Sequence, residues 1–146
     1  MLKQPLGIGV RAGLLAAAAT SGAVVGLGLR EGAAFTPFVV LGRSLFARVT
    51  GVLPHPALAL MVGLVVHAGW MLVWGVCFTV VAARLRQRRV FLAAFLVSVI
   101  AGLLARWLWP LALGAAATAS LSVSETFLYV ALLGLSLATG TRLAFH

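Results

Sequence analysis

Residues 56–85 read PALALMVGLVVHAGWMLVWGVCFTVVAARL, and Arg84, Arg86, Arg88 and Arg89 crowd the end of this run. About 20 apolar residues cross a bilayer at roughly 1.5 Å rise each. The segment from 57 to 83 therefore reads as a transmembrane span, longer than the minimum and hence tilted. The arginine cluster marks its cytoplasmic end, because basic residues in short loops stay on that side of the membrane. Near the middle stands His67, with Gly63 one turn before it and Trp70 and Trp74 after it.

The rest of the composition agrees with membrane embedding. Of 146 residues, 63% are hydrophobic and only 9% charged, and the mean hydropathy is +1.16. A water-facing surface draws on roughly 25% charged residues, which this chain lacks. The net charge of +9 comes from 11 Lys and Arg against 2 acids. It reads as arginines flanking spans and meeting anionic headgroups rather than nucleic acid. Cys77 is the single cysteine and sits in an apolar run, so an internal disulfide and a cysteine zinc site are excluded.

Working outward gives an all-α integral membrane protein, a single domain over 1–146. Four transmembrane helices are expected at about 10–29, 57–83, 90–109 and 123–142. The first follows Lys3 and Arg11, imitating a signal peptide but read as a retained span. It is built of small residues, and Ala18, Gly22 and Gly26 recur at i+4, the spacing that lets helix backbones approach closely. This face is expected to be buried between helices. Met61, Ala68, Gly75 and Ala82 form a heptad row on the second span, and Ala94, Ser98 and Gly102 a small-residue seam on the third. Pro110 is expected to end the third span, and Ser122 with Glu125 forms a capping box opening the fourth.

A short amphipathic helix over about 37–50 lies between the first two spans. Thr36 is expected as its N-cap, Pro37 at the first helical position and Gly51 at the left-handed C′ site. Phe38, Leu41, Gly42, Leu45, Phe46 and Val49 share one face, with Arg43 and Arg48 on its flanks. Crossing the bilayer would cost about 2.5–3.5 kcal/mol for each arginine. The helix is therefore read as interfacial, its arginines snorkelling to headgroups.

Four spans put both termini on one side. Lys3, Arg11, Arg84, Arg86, Arg88, Arg89 and Arg142 share that side against Arg30, Arg43, Arg48 and Arg106 on the other. The expectation is a multi-pass protein of the cytoplasmic (bacterial inner) membrane with cytoplasmic termini.

His67 is the one titratable imidazole at membrane depth, where ionisable groups mark function. The plain reading is a hydrogen bond to a Ser or Thr of another helix, with Thr20, Ser21 and Ser98 at similar depth. The sharper reading notes that His67 with Gly63 at i−4 resembles the ligand helices of membrane tetrapyrrole proteins. That resemblance implies His67 as axial metal ligand to haem or a chlorophyll-type pigment, with Gly63 leaving room for the ring and Trp70 and Trp74 stacking on its edge. His55 and His146 lie at opposite membrane ends, so neither is a second ligand at that depth. Met71 at i+4 would make only a two-ligand copper site.

Enzyme readings fare poorly. The chain has no Asp, hence no Asp-oriented His and no paired carboxylates of that kind. Its two acids lie at span edges, which argues against a proton-coupled carrier. The leading expectation is a non-catalytic structural subunit of a larger integral membrane complex, touching lipids and other subunits or its own copies. A tetrapyrrole-binding module is the alternative, and a small homo-oligomeric channel or carrier lined by Thr20, Ser21, His67, Ser98 and Ser136 is the third.

Overall fold

The computed structural model describes residues 3–30, 32–85, 87–113 and 123–142. Five α-helices follow one another: α1 Lys3–Arg30, α2 Thr36–Thr50, α3 Pro56–Ala82, α4 Gln87–Leu113 and α5 Val123–Arg142. Three of them carry stretches long and apolar enough to cross a membrane: Leu6–Arg30, Pro56–Ala82 and Arg89–Leu111. Glu125–Thr141 in α5 is a shorter apolar helix. Val65, Val73, Leu92, Phe95, Leu103 and Phe127 point outward and are exposed. Such a surface suits hydrocarbon rather than water.

Helix ends follow local chemistry. After α1, Gly32 takes a left-handed φ of 70°. The Ala33 N–H then donates to the Gly28 carbonyl at 2.7 Å and the Gly32 N–H to Leu29 at 3.2 Å. This is a Schellman stop, which reverses the chain toward α2. At the end of α2, Gly51 has φ 73° and its N–H returns to the Ala47 carbonyl, as its sequence position predicts. The start of α2 differs from expectation: Phe35 occupies the cap position without a side-chain bond, and Thr36 is already helical. Pro37 still pre-sets the first turn. His55 caps α3, its Nδ1 accepting from the Ala57 N–H at 3.3 Å.

α4 runs through Pro110 to Leu113 rather than stopping there. A proline disrupts only its own N–H bond and the turn before it, so the last residues can continue the helix. Ser122, half of the expected capping box, lies outside the described residues.

Close backbone packing organises the bundle. α3 is central and antiparallel to α1: a Cβ added to Gly13 would lie 2.8 Å from Leu72 Cα, and one on Gly9 would lie 2.8 Å from Val76 Cα. α2 also runs antiparallel along α3, with Gly42 against the Ala59 carbonyl and Gly63 against the Phe38 carbonyl. α5 joins α1 where Gly140 meets Ala12, and a Cβ on Gly140 would lie 2.8 Å from Ala12 Cα. α4 packs mainly on α5 and only lightly on α3.

The buried row on α3 is Ala59, Gly63, His67, Met71, Gly75 and Thr79. It steps by four, not by the expected seven, and Met61 of the heptad row is 62% exposed. At 3.6 residues per turn each i+4 step advances about 40° around the helix, so the row winds from α2, at Gly63, to α1, at Gly75, following neighbours that cross at an angle. On α4 the seam Ala94, Ser98 and Gly102 is buried and faces α5, where a Cβ on Gly102 would lie 2.6 Å from Val130 Cγ2. The α1 row behaves otherwise. Ala18, Gly22 and Gly26 are exposed, and α1 is gripped through Gly9, Ala12, Gly13 and Ala16 instead. Because α1 carries small residues on more than one face, packing within the chain selected a different face from the one its spacing suggests.

Candidate functional site

His67 is the node where α1, α2, α3 and α5 meet. Its Nε2 lies 2.9 Å from Thr20 Oγ1 on α1. The Thr20 hydroxyl donates back to the Ala16 carbonyl at 2.7 Å. Since a hydroxyl has one proton, its oxygen is left to accept, and His67 Nε2–H donates to it. Two aromatic rings flank the imidazole edge-on: Phe38 of α2 at 5.4 Å between centroids and Tyr129 of α5 at 5.9 Å. The Tyr129 hydroxyl in turn approaches the Met71 sulfur at 3.8 Å, placing Met71 in a polar contact of its own.

This geometry redraws the tetrapyrrole reading. The recess that Gly63 leaves beside His67 is taken up by the α2 backbone at Phe38, so a flat macrocycle has no room there. Gly63 serves helix approach. Trp70 and Trp74 also belong elsewhere: Trp70 stacks edge-on against Trp74 at 5.6 Å and against Trp109 of α4 at 5.3 Å. Sequence spacing placed His67, Gly63, Trp70 and Trp74 in one site, whereas the fold separates them into an α1–α2–α5 node and an α4-facing row.

Sequence reading named Thr20 as a partner at the right depth but missed Phe38 and Tyr129. For Tyr129 a signal existed, since a lone phenol in an apolar helix needs a polar partner. For Phe38 none existed, because its contact depends on how α2 folds back on α3.

Of the hydroxyls expected along a polar path, Thr20 donates to Ala16 and Ser98 to Ala94, each at 2.7 Å within its own helix. Thr79 and Thr141, outside that set, likewise donate to Val76 and Ala138 at 2.9 Å. Such back-bonding satisfies a hydroxyl without a neighbour. Among the described residues no group of three or more His, Cys, Asp or Glu gathers to hold a metal ion. Cys77 is exposed on α3. Arg43, Arg48, Arg84 and Arg89, assigned to headgroups, are exposed. Arg86 lies outside the described residues, as does the Arg88 side chain.

Chemically, the node clamps helices. It pairs one donor with one acceptor, and its two rings cover the imidazole. Thr20→Val removes the Thr20 hydroxyl as a partner for the buried Nε2. A double-mutant cycle with His67→Leu is expected to give a coupling of about 1 kcal/mol, in the range for interhelical bonds in membranes. Zero coupling in reversible unfolding from mixed micelles would show that the pair contributes nothing.

Searched against protein-family models, curated proteins and solved structures, the chain finds no match.

Proposed function

We propose that this chain is a non-catalytic structural subunit of a larger integral membrane assembly. α1, α3, α4 and α5 cross the bilayer, and α2 does not. At 15 residues, α2 extends about 22 Å, short of a hydrocarbon core of about 30 Å. Its exposed Arg43 and Arg48 suit the outer headgroup layer. The basic residues around 84–89 then lie in the cytoplasm with both termini.

One observation carries the reading. The open face of α1 presents Ala18, Gly22 and Gly26, and a Cβ on either glycine would meet nothing within 4 Å. On the same helix, Gly9, Ala12 and Gly13 are used for backbone-to-backbone packing on α3 and α5. A second flat face of the same chemistry fits another helix better than it fits lipid tails, which gain little from a surface without side chains. His67 belongs to this picture as a clamp that holds α1 in place, so the face is presented by a fixed helix.

Gly22→Leu and Gly26→Leu test it, because both substitutions fit the chain itself. In polymer-extracted native membranes, the parent protein is expected to migrate well above its own 15.2 kDa plus lipid. The leucine variants are expected at the single-chain position with unchanged circular dichroism. A parent protein that already migrates as a single chain overturns the proposal.

A further inference from the structure

Three contacts fix the depth at which α2 begins. Thr20 stands ten residues before Arg30, where α1 stops, and His67 eleven residues after Pro56, where α3 starts. At about 1.5 Å per residue, the Thr20–His67 contact lies roughly 15 Å in from those outer ends, half of a hydrocarbon core of about 30 Å. Phe38, only the third residue of α2, reaches toward that level. Its ring meets the His67 ring edge-on, and its carbonyl lies against Gly63. One turn later, Gly42 lies against the Ala59 carbonyl, one turn nearer the outer end of α3. α2 therefore climbs α3 turn for turn, whereas a helix lying flat in the headgroup layer would meet α3 at one level.

The backbone at this depth is served from within. In the turn leading into α2, the Ala33 N–H donates to the Gly28 carbonyl at 2.7 Å and the Thr36 N–H to the Ala33 carbonyl at 3.0 Å. The Val39 N–H donates to the Phe35 carbonyl at 3.0 Å, and Pro37 has no N–H to satisfy. Non-spanning backbone is tolerated at membrane depth only where the protein supplies such bonds. The charges agree with the climb: α2 carries none before Arg43, and Arg43 and Arg48 are both exposed. We propose that α2 is a re-entrant half-helix: after α1 the chain dips toward mid-membrane, where the Phe38 ring meets His67, and α2 returns it to the outer surface at Gly51. With Phe38 and Gly42 buried against α3, it seals the His67–Thr20 pair from outer-leaflet hydrocarbon. The proposal requires α3 to span the bilayer and needs no partner subunit.

Spin labels read depth directly, from the ratio of their collision rates with oxygen, which dissolves in hydrocarbon, and with a water-soluble nickel chelate. In a Cys77→Ser background of the full chain in lipid vesicles, Phe35→Cys, Thr36→Cys and Val49→Cys label the two ends of α2. Leu58→Cys and Val65→Cys provide a ruler on α3, and all five residues are exposed. Phe35 is expected level with Val65, and Val49 no deeper than Leu58. The ends of α2 then differ in depth by more than the roughly 10 Å between the ruler sites. Thr36→Cys repeats the deep measurement should Phe35→Cys fail to fold. A difference across α2 smaller than that across the ruler, or of opposite sign, overturns the proposal. Ruler sites at one depth overturn the span assigned to α3, and the proposal with it.

Discussion

Gly75→Val is expected to drive α1 off α3. The α1–α3 crossing is held by backbone contact, and a Cβ on Gly75 would lie 2.6 Å from Gly13 N and 2.7 Å from Gly13 Cα, with the Gly9 carbonyl pressing on it as well. None of these atoms is the end of a flexible side chain, so the helices themselves must separate. Valine adds two methyl groups beyond that Cβ. Overpacking of this kind costs about 3 kcal/mol, a large share of the roughly 5–15 kcal/mol that holds a domain. Separation also pulls Thr20 from His67, adding the loss of that bond.

Helix content should barely change, since in lipid each apolar helix satisfies its own backbone. The informative measurement is distance. Spin labels on the exposed Cys77 and on a cysteine replacing the exposed Val10 should give a narrow distribution in the parent and a broad, longer one in Gly75→Val. Gly22→Leu, on the open face of the same helix, should leave it narrow. Equal distributions in the parent and Gly75→Val would refute the packing.

The second large effect is expected at Gly63. A Cβ there collides with the Phe38 carbonyl, and one at Gly42 with the Ala59 carbonyl. Gly63→Val and Gly42→Val therefore break the same crossing from opposite sides, so the double variant should cost little more than either alone. Here the consequence is local. α2 is short, tied to α3 by the Gly51 turn, and contributes Phe38 and Gly42 to the interior. Its detachment leaves α1, α4 and α5 in place. Amide exchange in α2 is expected to rise about a hundredfold, which corresponds to a local opening easier by about 3 kcal/mol. α5 exchange should hold steady. Uniform acceleration in both helices would falsify the view of α2 as a separately attached element.

Much of this architecture is legible from residues alone. Helices follow from local rules: apolar runs of sufficient length, Pro37 at a start, Gly51 at a stop. Those rules act within a few residues and need no knowledge of neighbours. They miss where the deciding contact is distant or subtle. Thr36 looked like a cap, yet the helix begins one residue earlier because Phe35 takes the cap position. Pro110 looked like a stop, yet a proline removes one donor without forbidding the turn that follows.

The chemistry around His67 divides the same way. Its depth and its need for a hydroxyl partner are properties of the chain, and Thr20 was within reach of that reasoning. Gly63 was not: a glycine one turn from a histidine is equally a seat for a flat ring and a groove for a helix. The choice depends on α2 folding back across α3.

The sequence by itself determined an all-helical chain of apolar runs, with four spans expected, of which the structure shows three helices long and apolar enough to cross a membrane and a fourth, shorter apolar helix. Composition sets the solvent, and backbone hydrogen bonding within each helix does the rest. Only the tertiary structure decided which small residues touch. On α1 more than one face would admit a neighbouring backbone, and Gly9 and Gly13 were taken while Gly22 and Gly26 were left open. Close packing is a property of pairs of surfaces, and one helix's sequence states only half of each pair.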